Sequence, residues 1–161
     1  MIKDRNLIKD LIKTIIFMFV GFVVALLLHE LSHLFVLLLC NGQLVDFRVG
    51  SQNFVSGYID PKYVSFVALS SIIIPSLLSA IFIFVKSTKL ASINISVAIH
   101  CIINIVGGLI CITTDTMDLS WDLVLAYNYS NQILSICVAI IFLIINIVNL
   151  LLSMRKIITN F

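Results

Sequence analysis

The chain has 161 residues, of which 61% are hydrophobic and 11% charged, with a mean hydropathy of +1.18 and a formal net charge of +2. A water-soluble domain carries about 25% charged residues, so this composition excludes a soluble globular domain and a disordered chain. The ten Lys and Arg residues are too few, and too confined to segment ends, for a phosphate-binding surface. That excludes a nucleic-acid partner and leaves an all-α polytopic membrane protein of one domain, partnered by the lipid bilayer.

Residues 1–13, MIKDRNLIKDLIK, place Ile2, Leu7, Ile8, Leu11 and Ile12 mostly on one helical face and the charges elsewhere. This pattern predicts an amphipathic interfacial lead-in helix. A cleaved signal peptide is the rival reading. No small-residue cleavage site closes the apolar stretch, which runs on past Leu28, so cleavage is not expected. Four apolar runs then have the roughly 20 residues needed to cross about 30 Å of hydrocarbon. They cover residues 14–40, 63–85, 91–114 and 133–153. In lipid the backbone must satisfy its own hydrogen bonds, so these runs are helices. Residues 14–125 hold the core and 133–153 an additional span.

The loop after the first span, NGQLVDFRVGSQNFVSGYIDP, alternates crudely between apolar and polar residues and is punctuated by Gly42, Gly50 and Gly57. One or two short strands are expected, with a hairpin turn near residues 51–53. An exposed strand edge there would hold an extended substrate by strand addition; an ordinary surface loop is the equal alternative. Lys3, Arg5, Lys9, Lys13, Lys86, Lys89, Arg155 and Lys156 share one side of a four-span layout, against Arg48 and Lys62 on the other. The positive-inside rule makes both termini cytoplasmic, in a bacterial-type plasma membrane. Cys40, Cys101, Cys111 and Cys137 form no close-spaced pair and read as small apolar packing residues.

Ionisable groups inside a membrane are costly and functional by default. The first span contains LLLHELSHLFVLLLC, with the chain's one glutamate, Glu30, between His29 and His33. At this composition His-Glu-x-x-His arises by chance in roughly 3 of 10,000 such chains. Residues four apart share a helix face, so both imidazoles reach one zinc ion. Glu30, about 100° round the helix, can deprotonate the water such a metal activates. The bland alternative is a polar pair gluing helices, for which Asn or Ser would be cheaper.

Zinc needs a third protein ligand. The third span runs toward the same outer half as His29 and His33 and ends at ITTDTMDLSWD. Asp115 is the first acidic residue past the apolar run, hence the deepest, and is preferred over Asp118, one turn further out. Asp122 reads as a surface or supporting residue. All three serving only to solvate the loop is the plain alternative. His100 lies 15 residues before Asp115, about 22 Å along a helix, so it is not expected to share the same zinc and reads as a partnered or interfacial histidine rather than a second metal site. Asn104 either contacts substrate backbone or, preferably, joins helices. Gly107 and Gly108 allow close packing or local unwinding that would present Asp115. Ser70, Ser71, Pro75, Ser76, Ser79 and Ala80 give the second span a small-residue contact surface.

These features resemble the site-2 protease family of intramembrane zinc metalloproteases. His29-Glu30-x-x-His33 lies within a membrane span, Gly42, Phe47 and Gly50 are similar to the family's β segment behind the zinc helix, and an aspartate follows two spans later. The likeness covers about residues 20–120, the three-helix core, without an appended substrate-filtering domain. Carried over, it implies zinc held by His29, His33 and Asp115, Glu30 as catalytic base, and a membrane protein or peptide as substrate. Where the family carries Leu-Asp-Gly, Asp115 stands between Thr114 and Thr116. The family's zinc lies nearer the cytosol, whereas the charge pattern puts these histidines in the outer half. The expected activity is therefore that of a zinc metalloendopeptidase. A non-catalytic metal-binding membrane protein is the alternative, and a metal-ion transporter a more distant one.

Overall fold

In a computed structural model describing residues 2–47, 55–116, 118 and 121–159, the lead-in and the first span form one unbroken helix, α1 (Ile2–Leu39). No glycine or proline precedes Gly21, so nothing separates an interfacial segment from the span. Helix α1 stops at Asn41, which takes the left-handed conformation (φ 56°). The Asn41 and Gly42 amides then close onto the carbonyls of Leu38 and Leu37, at 3.1 and 2.8 Å.

Strands β1 (Gln43–Phe47) and β2 (Val55–Tyr58) pair antiparallel, Gln43 opposite Tyr58 and Leu44 opposite Gly57, with a bulge between Leu44 and Asp46. A Cβ on Gly57 would lie 2.8 Å from Leu37 Cδ2, so the ribbon is seated directly on the end of α1. The expected turn at residues 51–53, and Arg48 and Gly50, lie outside the described residues. A 3₁₀ turn (Pro61–Tyr63) leads into α2 (Val64–Phe82), followed by α3 (Thr88–Thr113), a short α4 (Asp122–Tyr129) and α5 (Gln132–Ile158).

Four helices are long and apolar enough to cross a membrane, over Leu7–Leu39, Pro61–Phe82, Thr88–Thr113 and Gln132–Ile158. Their outer faces carry exposed Leu27, Leu31, Phe35, Ile141, Ile144 and Leu151, surface that only lipid covers favourably. The protein is an integral membrane protein. Lys156 Nζ donates to the Ile83 and Val85 carbonyls, and a cleft brings Asp10, Lys13 and Phe17 beside Thr88, Lys89 and Ile157. The start of α1, the end of α2, the start of α3 and the end of α5 therefore share one end of the bundle. His29 lies 16 residues beyond Lys13 on α1, about 24 Å away.

Two seams hold the bundle. Between the parallel α1 and α3, backbone meets backbone: a Cβ on Gly21 would lie 2.6 Å from the Ile93 carbonyl oxygen and 2.7 Å from Ile93 Cα. One turn on, fully buried Ala25 packs against Val97 and Cys101. This small-x-x-x-small step lets the helices approach closely, and its next turn brings His29 level with His100. The second seam is polar. Asn146 and Asn149 on α5 donate to the hydroxyls of Ser76 (2.7 Å) and Ser79 (3.2 Å), and Asn94 on α3 donates to Ser153 (2.9 Å). Ser76 and Ser79 of the second span serve helix contact, as the pattern predicts. The four cysteines are free, and only Cys101 is buried.

Candidate metal centre

Three buried or nearly buried groups converge near the far end of α1. His29 Nε2 lies 3.0 Å from Asp122 Oδ2, and His33 Nε2 lies 3.2 Å from Asp122 Oδ1. One ligand atom from each of His29, His33 and Asp122 falls within 4.8 Å of the others. The group can hold a metal ion. Tetrahedral zinc, with bonds of about 2.0–2.1 Å, spaces its ligand atoms about 3.3 Å apart, close to these separations. Two imidazoles and a carboxylate also suit iron or cobalt.

The surroundings aim these atoms. The Val67 carbonyl on α2 lies 2.8 Å from His33 Nδ1. A carbonyl only accepts, so Nδ1 carries the hydrogen and Nε2 presents its lone pair toward Asp122. Ser71, also on α2, donates to Asp122 Oδ2 at 2.6 Å. Glu30 is 4% exposed, and its Oε1 stands 3.8 Å from His29 Nε2, beside the convergence point but outside the three-ligand group.

Asp115, expected as third ligand, does not join this group. Asp115 is exposed at the end of α3, in the left-handed conformation with φ 55°. There it ends the helix: the next residue, Thr116, donates its amide to the Cys111 carbonyl at 3.2 Å. Asp118 is exposed as well and does not join the group. Asp122, read from sequence as a surface or supporting residue, is the aspartate that faces both histidines, because the chain folds back after α3 into α4. Its side chain is 16% exposed.

Gly107 and Gly108 make this return possible by close packing rather than by unwinding. A Cβ on Gly107 would lie 2.2 Å from the Trp121 ring, and one on Gly108 would lie 2.7 Å from Leu123 Cβ. Trp121 and Leu123 flank Asp122, so both neighbours rest on α3 while the carboxylate points at α1. Leu123 and Ala126 then join the apolar core formed with Ala68, Leu69, Ile72, Ile105 and Ala139. Gly108→Val should wedge Leu123 off α3, since a Cβ attached next to backbone has little room to yield. Overpacking of this kind typically costs about 1–3 kcal/mol. A lowered thermal midpoint together with weakened divalent-metal binding is expected; an unchanged midpoint would contradict the packing account.

His100 stays outside the three-ligand group and is partnered by His29 and Asn104. Its Nε2 lies 3.4 Å from His29 Nδ1, with ring centroids 5.3 Å apart. The 22 Å separation argued from sequence applies to Asp115; the group of His29, His33 and Asp122 instead lies near His100. Asn104 bonds His100 rather than another helix, with Nδ2 at 3.1 Å from both His100 Nε2 and the His100 carbonyl oxygen. The available sequence signal was WDLVLA, an aspartate opening a short apolar stretch that a surface loop would not need. No protein-family model, curated protein or solved structure matches the chain.

Proposed function

We propose that the protein is an intramembrane zinc metalloprotease that hydrolyses peptide bonds of membrane-spanning or membrane-proximal substrates, as its resemblance to site-2 proteases implies. His29, His33 and Asp122 hold the metal in this reading, and Glu30 is the catalytic base. The observation that carries it is the buried carboxylate of Glu30 beside a three-ligand group within a membrane helix. A structural zinc site is closed by four protein ligands, whereas a three-ligand group leaves a position for water, here with the Glu30 carboxylate beside it, which favours catalysis over mere stiffening.

Bound zinc would supply Lewis acidity, polarising the scissile carbonyl and making water a nucleophile at neutral pH. The chain's own groups do the rest. Glu30 accepts the proton of the attacking water and returns it to the departing amine. Ser71 and the Val67 carbonyl keep Asp122 and His33 in place during the reaction. The group is not sealed off, since the His29 and Asp122 side chains are 13% and 16% exposed. A substrate helix must unwind locally first, because its carbonyls are otherwise committed to internal hydrogen bonds. With both termini cytoplasmic, cleavage falls in the outer half of the membrane.

The test uses the purified full chain in proteoliposomes containing a panel of model single-span substrates. About one zinc per chain by elemental analysis is expected, with cleavage abolished by 1,10-phenanthroline and restored by added zinc. Bound zinc with no cleavage across the panel would replace this reading with a non-catalytic metal protein. Absence of bound metal would sink the centre altogether.

A further inference from the structure

The nitrogen of His29 facing away from the metal group is not left to chance. Asn104 Nδ2 faces two atoms of His100, the carbonyl oxygen and Nε2, each at 3.1 Å. A carbonyl oxygen is only an acceptor, so the Asn104 atom that meets it must be the amide nitrogen, which fixes the orientation of that side chain. The same NH₂ group then directs its second hydrogen at His100 Nε2, which must accept through its lone pair. His29 Nδ1 faces this same lone pair at 3.4 Å. Two lone pairs do not face one another, so His29 Nδ1 carries the hydrogen and His29 Nε2 is left bare, 3.0 Å from Asp122 Oδ2.

We infer that His100 and Asn104 are positioning residues that lock His29 in the Nδ1–H form, with its Nε2 lone pair presented to the metal. The inference rests on the metal-site part of the proposed function. It makes the two imidazoles equivalent by different means: His33 is oriented by a backbone carbonyl of α2, His29 by a histidine–asparagine pair of α3. The His100 ring is itself held in place, with the Phe22 ring edge-on at 6.3 Å between centroids. The close approach of α1 and α3 at Gly21 sets the register in which His29 and His100 meet.

Zinc affinity is measured by chelator competition on wild type, His100→Leu, His100→Gln and Asn104→Leu, and each protein is also loaded with cobalt(II) for its visible absorption. Loss of a partner that orients a metal-ligating histidine costs about 10–100-fold in affinity. His100→Leu is expected to fall in that range with altered cobalt bands, and Asn104→Leu to weaken binding by less. His100→Gln, whose side-chain oxygen can accept from His29 Nδ1–H, should recover most of the affinity and the wild-type spectrum. If His100→Leu does not fold, Asn104→Leu and His100→Gln carry the comparison. Wild-type affinity and spectrum in His100→Leu, or in Asn104→Leu where only that variant folds, would overturn the inference while leaving the metal site standing. A wild-type protein that binds neither zinc nor cobalt would overturn both.

Discussion

Glu30→Gln is expected to keep its zinc and lose its cleavage. General-base catalysis contributes about 10²–10⁴-fold, so turnover of a model single-span substrate should drop by at least about 100-fold. Metal content should stay at one ion per chain, because Glu30 lies outside the three-ligand group. Glutamine preserves the shape of a side chain that is 4% exposed, keeps one acceptor oxygen while turning the other into an NH₂ donor, and removes a buried charge. Stability should therefore hold or rise, which separates this variant from Glu30→Ala, where an emptied site and unpaired neighbours would confuse a catalytic with a structural loss. Zinc titration, a thermal melt and a cleavage assay on one preparation decide the matter. Activity within about tenfold of wild type would show that the proton is moved by another group, since a neutral amide cannot accept it.

The spans were legible because each is apolar over its whole length, and lipid turns that composition directly into helix. The His-Glu-x-x-His face was legible for a second reason: a helix converts a spacing of four into proximity without reference to anything outside the span. The place of Asp122 beside these histidines was not, because it depends on a tertiary event. Depth along the apolar run ranks Asp115 above Asp118 and Asp122 only if the chain keeps moving outward after α3. Instead α4 turns back, and its Leu123, Val124 and Ala126 are buried. Eight residues are too few to register as a span, so the hydropathy that found four helices passed over the one that completes the site. The distance of His100 was reckoned to Asp115, so its nearness to His29 was not legible either. The lead-in segment is helical and runs on into the first span. Its amphipathic pattern is real, but a boundary needs a helix breaker, and residues 2–20 contain none.

Asp122→Asn and Asp115→Asn, made side by side, should behave oppositely. The Asp122 carboxylate faces both histidine Nε2 atoms, at 3.0 and 3.2 Å, and is the only anion that joins them in the group. An amide keeps the size and can still accept from Ser71, but it brings no charge to a divalent ion. Removing a direct ligand should cost more than the roughly 10–100-fold attached to an orienting partner. Zinc at one equivalent should then be lost on passage through a desalting column, and cleavage with it. Asp115→Asn, by contrast, exchanges one exposed residue tolerant of the left-handed region for another at φ 55°. It should leave the helix end, the zinc affinity and the cleavage rate within about twofold of wild type. The reverse result, with zinc held by Asp122→Asn and lost by Asp115→Asn, would require the segment between α3 and α4 to move several ångströms. Glycines 107 and 108 argue against such movement, because the contacts they permit fix Trp121 and Leu123 on α3 on either side of the aspartate.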